Sequence, residues 1–196
     1  KVTPLFKSDD RALPTNYRPI SVLPVFSKIL EKIMHKRLLS YLTQNCLLTS
    51  QQYGFRENHS TYMALINLVD RVSEEIDNNN VTLGIFLDLS KAFDTNDHTI
   101  LLNKLNYYGV TGIANNWFNS YLNDRKQFVQ IGQTISKTLS ISCGVPQGSI
   151  LGPLLFIIYI NDIPNVSKLF DLIMFADDTN LFIKDKNLGS LLANAN

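Results

Sequence analysis

Four residues near the C-terminal end, Phe175-Ala176-Asp177-Asp178, constrain this chain more than any other stretch. Upstream, Leu169, Phe170, Leu172, Ile173 and Met174 form an apolar run. Downstream, Asn180-Leu181-Phe182-Ile183-Lys184 alternates polar and apolar residues, as a half-buried strand does. Two strands joined by an acidic tight turn follow, because Asp and Asn tolerate turn dihedrals that β-branched residues do not. The turn then presents two adjacent carboxylates at a hairpin tip. Like charges this close repel unless a cation lies between them, and a hard divalent ion such as Mg2+ takes oxygen ligands. A solvated Asp-Asp turn would have the same sequence, so the turn alone leaves both readings open.

A chain of 196 residues is one domain, or a two-lobed piece of one, and is long enough to bury a core. Cys46 and Cys143 have no CxxC spacing, so reduced core thiols are expected rather than a disulfide framework or a zinc site. The longest apolar run, Leu154 to Ile160, is too short to span a membrane, and no signal peptide is recognisable. The opening on Lys1 and the polar Asn/Ala end are those expected of a fragment. Net charge is only +1, but it is unevenly spread. Residues 1–60 hold nine Lys/Arg against four Asp/Glu, and residues 61–196 hold nine against thirteen. A phosphate-gripping basic part beside an acidic metal-binding part would have this asymmetry.

In order, residues 1–24 are broken by Pro4, Pro14, Pro19 and Pro24 and read as short strands and a loop. Lys7 and Arg18 flank that loop. They are either solvated cations or a clamp for a triphosphate. Val25 to Leu42 has helical period, with Phe26, Ile29, Leu30, Ile33, Leu38 and Leu42 as its apolar stripe. Lys28, Lys32 and Lys36 share another face; their mutual repulsion would be offset by an anionic nucleic-acid backbone or simply by solvent. Gln51 to Thr61 is a loop carrying Arg56, either a functional cation or one half of a structural salt bridge. It leads to a helix at about 61–77, capped by Ser60 and ended by three asparagines, with Ala64, Leu65, Leu68, Val69, Val72 and Ile76 as its apolar face.

Val81 to Leu89 has a buried-strand pattern that ends at Asp88, and a carboxylate there is costly unless paired or metal-bound. Asp97 caps a helix at about 98–108, and a second helix follows at about 112–123 with Trp117, Phe118, Tyr121 and Leu122 as its core face. Residues 126–142 alternate as a hairpin turning at Gly132-Gln133. Gly144-Val145-Pro146-Gln147-Gly148-Ser149 is a rigid turn opening a helix to about Ile163, with Pro153 in its first turn. Asp88 at a strand end, Asp177-Asp178 at a hairpin tip and a glycine-containing turn between them match the needs of two-metal phosphoryl transfer.

Five ordered blocks, NYRPISVLP (16–24), QYGFRENHST (52–61), GIFLDLSKAFDTNDH (84–98), GVPQGSILGPLLFIIYINDI (144–163) and FADDTNLF (175–182), resemble those of reverse transcriptases. The similarity is closest to the non-long-terminal-repeat (LINE-type) retrotransposon enzymes. It covers nearly the whole chain. The resemblance implies an α+β right-hand polymerase fold, mainly fingers over about 1–80 and mainly palm over about 81–196, with possible interleaving and the thumb absent. It implies Asp88, Asp177 and Asp178 as catalytic, metal-binding carboxylates for two Mg2+ ions, with Mn2+ a possible substitute. Phe93 matches the steric gate that excludes the ribose 2′-OH. Lys7, Arg18, Gln147 and Gly148 match nucleotide-binding positions, and Arg56, Lys28 and Lys32 are candidate template–primer contacts.

The implied partners are an RNA template, a DNA primer and dNTPs. The implied setting is intracellular, in a nuclear or cytoplasmic ribonucleoprotein. Asn96 departs from the apolar residue usual in that family. The early stop after the FADD hairpin leads us to expect weak polymerisation from this fragment alone. An inactive nucleic-acid-binding remnant and an RNA-directed RNA polymerase are the competing readings; Phe93 argues against the second.

Overall fold

The computed structural model describes residues 1–89 and 91–195. The chain divides into two compact units, each assembled from two separated stretches. The first comprises Lys1–Leu47 and Lys91–Tyr159, the second Leu48–Ser90 and Ile160–Asn196. Both units mix helices with antiparallel strand pairs, which makes the protein α+β as expected.

In the first unit the Pro-punctuated N-terminus forms a ribbon of β1 (Val2–Phe6) and β2 (Tyr17–Ser21), paired antiparallel with Leu5 opposite Arg18 and Phe6 opposite Tyr17. Helix α1 (Val25–Gln44) follows. Its buried positions are Glu31, Leu38 and Leu42. The anticipated stripe is right only in its second half, since Phe26, Ile29, Leu30 and Ile33 are exposed, Phe26 by 81%. The physical reason lies at Glu31, which is only 1% exposed and whose carboxylate sets the buried face. One oxygen accepts from the Tyr121 hydroxyl (3.1 Å) and the other from the Ile150 amide (2.7 Å). Periodicity could not reveal a helix turned toward the core by an acid.

Helix α3 (His98–Tyr107) starts at Asp97, whose side chain accepts from the Ile100 amide at 2.9 Å. Helix α4 (Gly112–Leu122) packs on it and buries Phe118 and Leu122. The hairpin at 126–142 turns at Gly132-Gln133 as expected, but it is interrupted. Strands β4 (Lys126–Gln127) and β7 (Leu139–Ser140) pair one residue out of step with β5 (Gln130–Ile131) and β6 (Thr134–Ile135). One extra residue between two ladders is a bulge. Helix α5 (Gly152–Ile160) is apolar all round and buried almost throughout.

The second unit is a three-stranded antiparallel sheet in the order β3-β9-β8, with β3 Val81–Asp88, β8 Asp171–Phe175 and β9 Asp178–Asp185. Helix α2 (Thr61–Asp77) lies against β3 and β8, and its N-terminal Ser60 hydroxyl accepts from the Met63 amide. Ala64, Leu68, Ile173 and Phe182 make the apolar contact. Leu65, Val69 and Ile76, expected on that face, are exposed. At the far end of the helix, Glu75 takes hydrogen bonds from Lys184 and from Asn80. The Lys184 bond, then the Asn80 bond, hold its carboxyl below the ordinary value. Strand β3 is not the buried strand anticipated. It is the sheet's edge, with Phe86 69% exposed. The terminal helix α6 (Leu188–Ala195), which had no clear sequence signal, contacts β9 and β3 and buries Leu191.

Burial, then the nearby Glu31 charge, push the Tyr121 hydroxyl up to about 12. The unfolded phenol ionises near 10. The neutral hydroxyl therefore favours the fold fully below pH ~10, and that contribution is lost as pH rises from ~10 to about 12. Urea unfolding across this window is expected to show a decline in stability that Tyr121→Phe flattens. At neutral pH, Glu31→Ala orphans one part-buried amide and one hydroxyl and is expected to cost about 2–4 kcal/mol.

Candidate functional site

Strands β8 and β9 are joined through a two-residue turn, because Phe175 pairs with Asp178 and leaves Ala176 and Asp177 between them. Ala176 has φ +56°, the left-handed region that is strained for any residue with a Cβ. A two-residue hairpin turn needs this at its first position to match the twist of the strands. The acidic turn expected from the sequence is therefore present. Its first carboxylate, Asp177, is half-buried at the tip, and its second, Asp178, is the exposed first residue of β9.

Strand β3 meets β9 in a register that sets Asp88 directly opposite Asp178. Opposed residues of an antiparallel pair project to one face with Cβ atoms about 4.5–5.5 Å apart. Two carboxylates so placed repel. Among the described residues no salt bridge reaches Asp88, Asp177 or Asp178. Nor do three or more His, Cys, Asp or Glu side chains converge, among the described residues, into a ready-made metal cage. The donor set nonetheless suits a hard divalent cation: uncompensated, solvent-reachable carboxylate oxygens with one opposed pair. An apolar hollow of about 430 Å³ adjoins the pair, lined in part by Thr61, Leu65, Phe86 and Phe175.

The other candidates occupy the first unit. The Lys7 amide donates to the Asn16 carbonyl, which continues the β1–β2 ladder and puts Lys7 and Arg18 on one face of the ribbon, both exposed. Phe93 is half-buried, its ring 4.6 Å from that of Phe156. It lies in a loop knitted to the 144–149 turn. The Val145 backbone amide donates to Phe93 O, the Gly144 backbone amide to Asn96 O, and the side-chain Nε2 of Gln147 donates to both Asp94 carboxylate oxygens at 3.0 and 3.1 Å. Gln147 O in turn accepts from the Ser21 amide on β2, and Gly148 lies beside that same segment. Phe93, Gln147 and Gly148 are thus brought together with the ribbon that carries Arg18. Asn96 is buried with its amide nitrogen unpartnered, so its departure from an apolar residue leaves one polar group unsatisfied.

Lys28 and Lys32 are exposed on α1. Arg56 is placed differently from a free surface cation. Its guanidinium donates to the Thr49 and Gln52 carbonyls, and burial lowers its ionisation below the ordinary value. Sequence reasoning passed over Gln52, which is 1% exposed and bonded to the acidic turn, and gave Asp94 no role. The one available signal was an amide residue two positions before Gly54 in a loop otherwise rich in polar residues.

A family model described as reverse transcriptase (RNA-dependent DNA polymerase) matches residues 6–194. The chain is 35% identical over 157 residues to a probable RNA-directed DNA polymerase from transposon BS of Drosophila melanogaster, covering 77% of this chain and 17% of that protein. It is 32% identical over 186 residues to the RNA-directed DNA polymerase from mobile element jockey of the same species, covering 88% and 20%. The chain therefore spans about a fifth or less of these relatives' length. Among solved structures, telomerase from Candida tropicalis in complex with a telomeric RNA fragment superposes with a TM-score of 0.59 at 15% identity, over 83% of this chain and 30% of that one. The apo enzyme, truncated from its C-terminal domain, gives 0.57 at 14%, over 86% and 36%. These two likenesses concern the fold.

Gly144 has φ +84°, and a Cβ there would lie 2.6 Å from Asp94 O. Gly144→Ala is accordingly expected to destabilise the protein by about 1–3 kcal/mol in denaturant titrations.

Proposed function

The chain belongs to the reverse transcriptase (RNA-dependent DNA polymerase) family, and from that premise we propose that it forms fingers and palm of an RNA-directed DNA polymerase of a mobile element. The observation that carries the reading is the pairing of Asp88 with Asp178 at the end of a sheet whose next turn holds Asp177. Oxygen-only donors without a protein cation are what nucleotidyl transfer requires, since catalysis there is largely positioning and charge neutralisation. Asp88, Asp177 and Asp178 would hold two Mg2+ ions, with Mn2+ able to substitute. The metal would supply activation of the primer 3′-hydroxyl and neutralisation of charge on the leaving pyrophosphate.

The chain's own residues do the rest by placement. Lys7 and Arg18, on one face of the β1–β2 ribbon, meet the triphosphate of the incoming dNTP. Phe93 holds a ring against the sugar, so that a 2′-hydroxyl is excluded. Gln147 and Gly148 border the nucleotide, and Asp94 fixes the Gln147 amide. Lys28 and Lys32 offer charge to the template–primer backbone. Arg56 shapes the loop next to the acidic turn through the carbonyls of Thr49 and Gln52, a supporting role toward the template rather than a contact with it.

The test is primer extension on poly(rA)–oligo(dT) with Mg2+ and dTTP, using the complete protein that carries this chain. Asp88→Ala, Asp177→Ala and Asp178→Ala are each expected to reduce extension by at least on the order of 10³-fold, the scale on which single charge-stabilising groups act in phosphoryl transfer. Phe93→Ala is expected to lower discrimination against ribonucleotides by at least about 10-fold. A folded wild type that binds template–primer and extends nothing would instead make the chain an inactive binding remnant.

A further inference from the structure

The turn that carries Asp177 is strained at Ala176, and one buried side chain engages both polar groups of that residue. Gln52 Oε1 accepts from the Ala176 amide at 2.9 Å, and Gln52 Nε2 donates to the Ala176 carbonyl at 3.2 Å. A primary amide thus pairs with a backbone residue as another peptide unit would. Oε1 also accepts from the Gly54 amide at 2.7 Å, which ties the clamp to its own loop. The flanking backbone is docked as well. Met174 donates to Gln51 O and accepts from Tyr53 N, both at 2.8 Å, so residues 51–53 run parallel beside the end of β8. Gly54 passes so close that a Cβ there would lie 2.1 Å from Ala176 N. Arg56, bonded to the Thr49 and Gln52 carbonyls, closes the loop from behind, and Asn161 Oδ1 accepts from the Thr49 amide.

We infer that Gln52 is a positioning residue for the metal-binding carboxylates: its amide locks the Ala176 peptide and so fixes the direction of Asp177 at the turn. The inference deepens the polymerase reading and rests on it for the role of Asp177. The Gln52 side chain bonds the backbone of Ala176 and Gly54, and it acts through that backbone. A left-handed alanine persists only where its surroundings over-determine it. With both backbone groups of Ala176 engaged by one buried side chain, Asp177 presents its oxygens in one orientation rather than several.

The experiment compares Gln52→Ala, Gln52→Glu, Ala176→Gly and the Gln52→Ala/Ala176→Gly double variant in the complete protein. Gln52→Glu is nearly isosteric but loses the donor, and it guards against a fold lost to the smaller side chain. Two readouts are taken: backbone amide exchange at Ala176 without metal, and the Mg2+ concentration giving half-maximal primer extension. Gln52→Ala is expected to accelerate Ala176 exchange relative to the β9 amides, whereas Gln52→Glu keeps an acceptor for that amide and is expected to move the exchange less. Both substitutions are also expected to raise the Mg2+ requirement by about 10–100-fold, the usual effect of losing a residue that orients a metal ligand. A merely destabilised fold lowers the active fraction and leaves the Mg2+ midpoint where it was. Glycine at 176 needs no enforcement to stay left-handed, so the Gln52→Ala shift is expected to shrink in the double variant. Unchanged Ala176 exchange in Gln52→Ala would overturn the clamp, as would an unmoved Mg2+ midpoint in an active protein. If the folded wild type extends no primer, the polymerase reading fails on its own, and Ala176 exchange still decides whether Gln52 locks the turn.

Discussion

The candidate chemistry depends on the register in which β3 pairs with β9. Eight residue pairs, from Val81 with Asp185 to Asp88 with Asp178, fix that register. Side chains alternate faces along a strand, so a slip of one residue would send Asp88 to the opposite face from Asp178. The slip is opposed by the packing of the same face farther along, where Phe182 and Ile173 meet Ala64 and Leu68 of α2. At that end Lys184 bonds Glu75, and Arg71 approaches Asp171 at 3.5 Å. Apolar burial and paired charges at one end of the face thus hold unpaired charges in place at the other.

The acids of this protein divide by what surrounds them. Glu31 is buried, and both its oxygens accept hydrogen bonds, from Tyr121 and from Ile150. Glu75 is buried against Lys184 and Asn80. Each is a structural group whose cost of burial is offset by its partners. Asp88 and Asp178 are exposed, Asp177 is half-buried, and no salt bridge among the described residues reaches them. These three carboxylates have no such partners among the described residues, so their oxygens are free to meet a cation from outside the chain.

Elements with a local code were legible in the sequence. Ser60 and Asp97 cap helices where short polar side chains before an apolar period said they would, and Gly132-Gln133 turns its hairpin. The acidic turn was legible because Asp177 and Asp178 interrupt two strand patterns. What was not legible depends on contacts distant in sequence. The buried face of α1 is set by Glu31 reaching Tyr121, 90 residues away, so the apolar positions Phe26 and Ile29 mislead. Strand β3 reads as buried because Leu83, Ile85, Phe86 and Leu87 are apolar, yet it is an edge strand, which composition does not encode. Gln52 lies 124 residues from Ala176, and its place two positions before Gly54 marks a loop residue but not a buried amide that recognises a peptide.

The central claim is that this register assembles a divalent-metal site at Asp88, Asp177 and Asp178. Its most direct test is titration of the isotope-labelled protein with Mn2+, following paramagnetic loss of backbone amide signals. The account predicts that the signals of residues 87–88 and 176–179 vanish at the lowest metal concentrations, and that Asp88→Asn or Asp178→Asn restores them while Asp171→Asn does not. Early signal loss at another acidic segment, such as Asp9-Asp10, with these residues untouched, would contradict it.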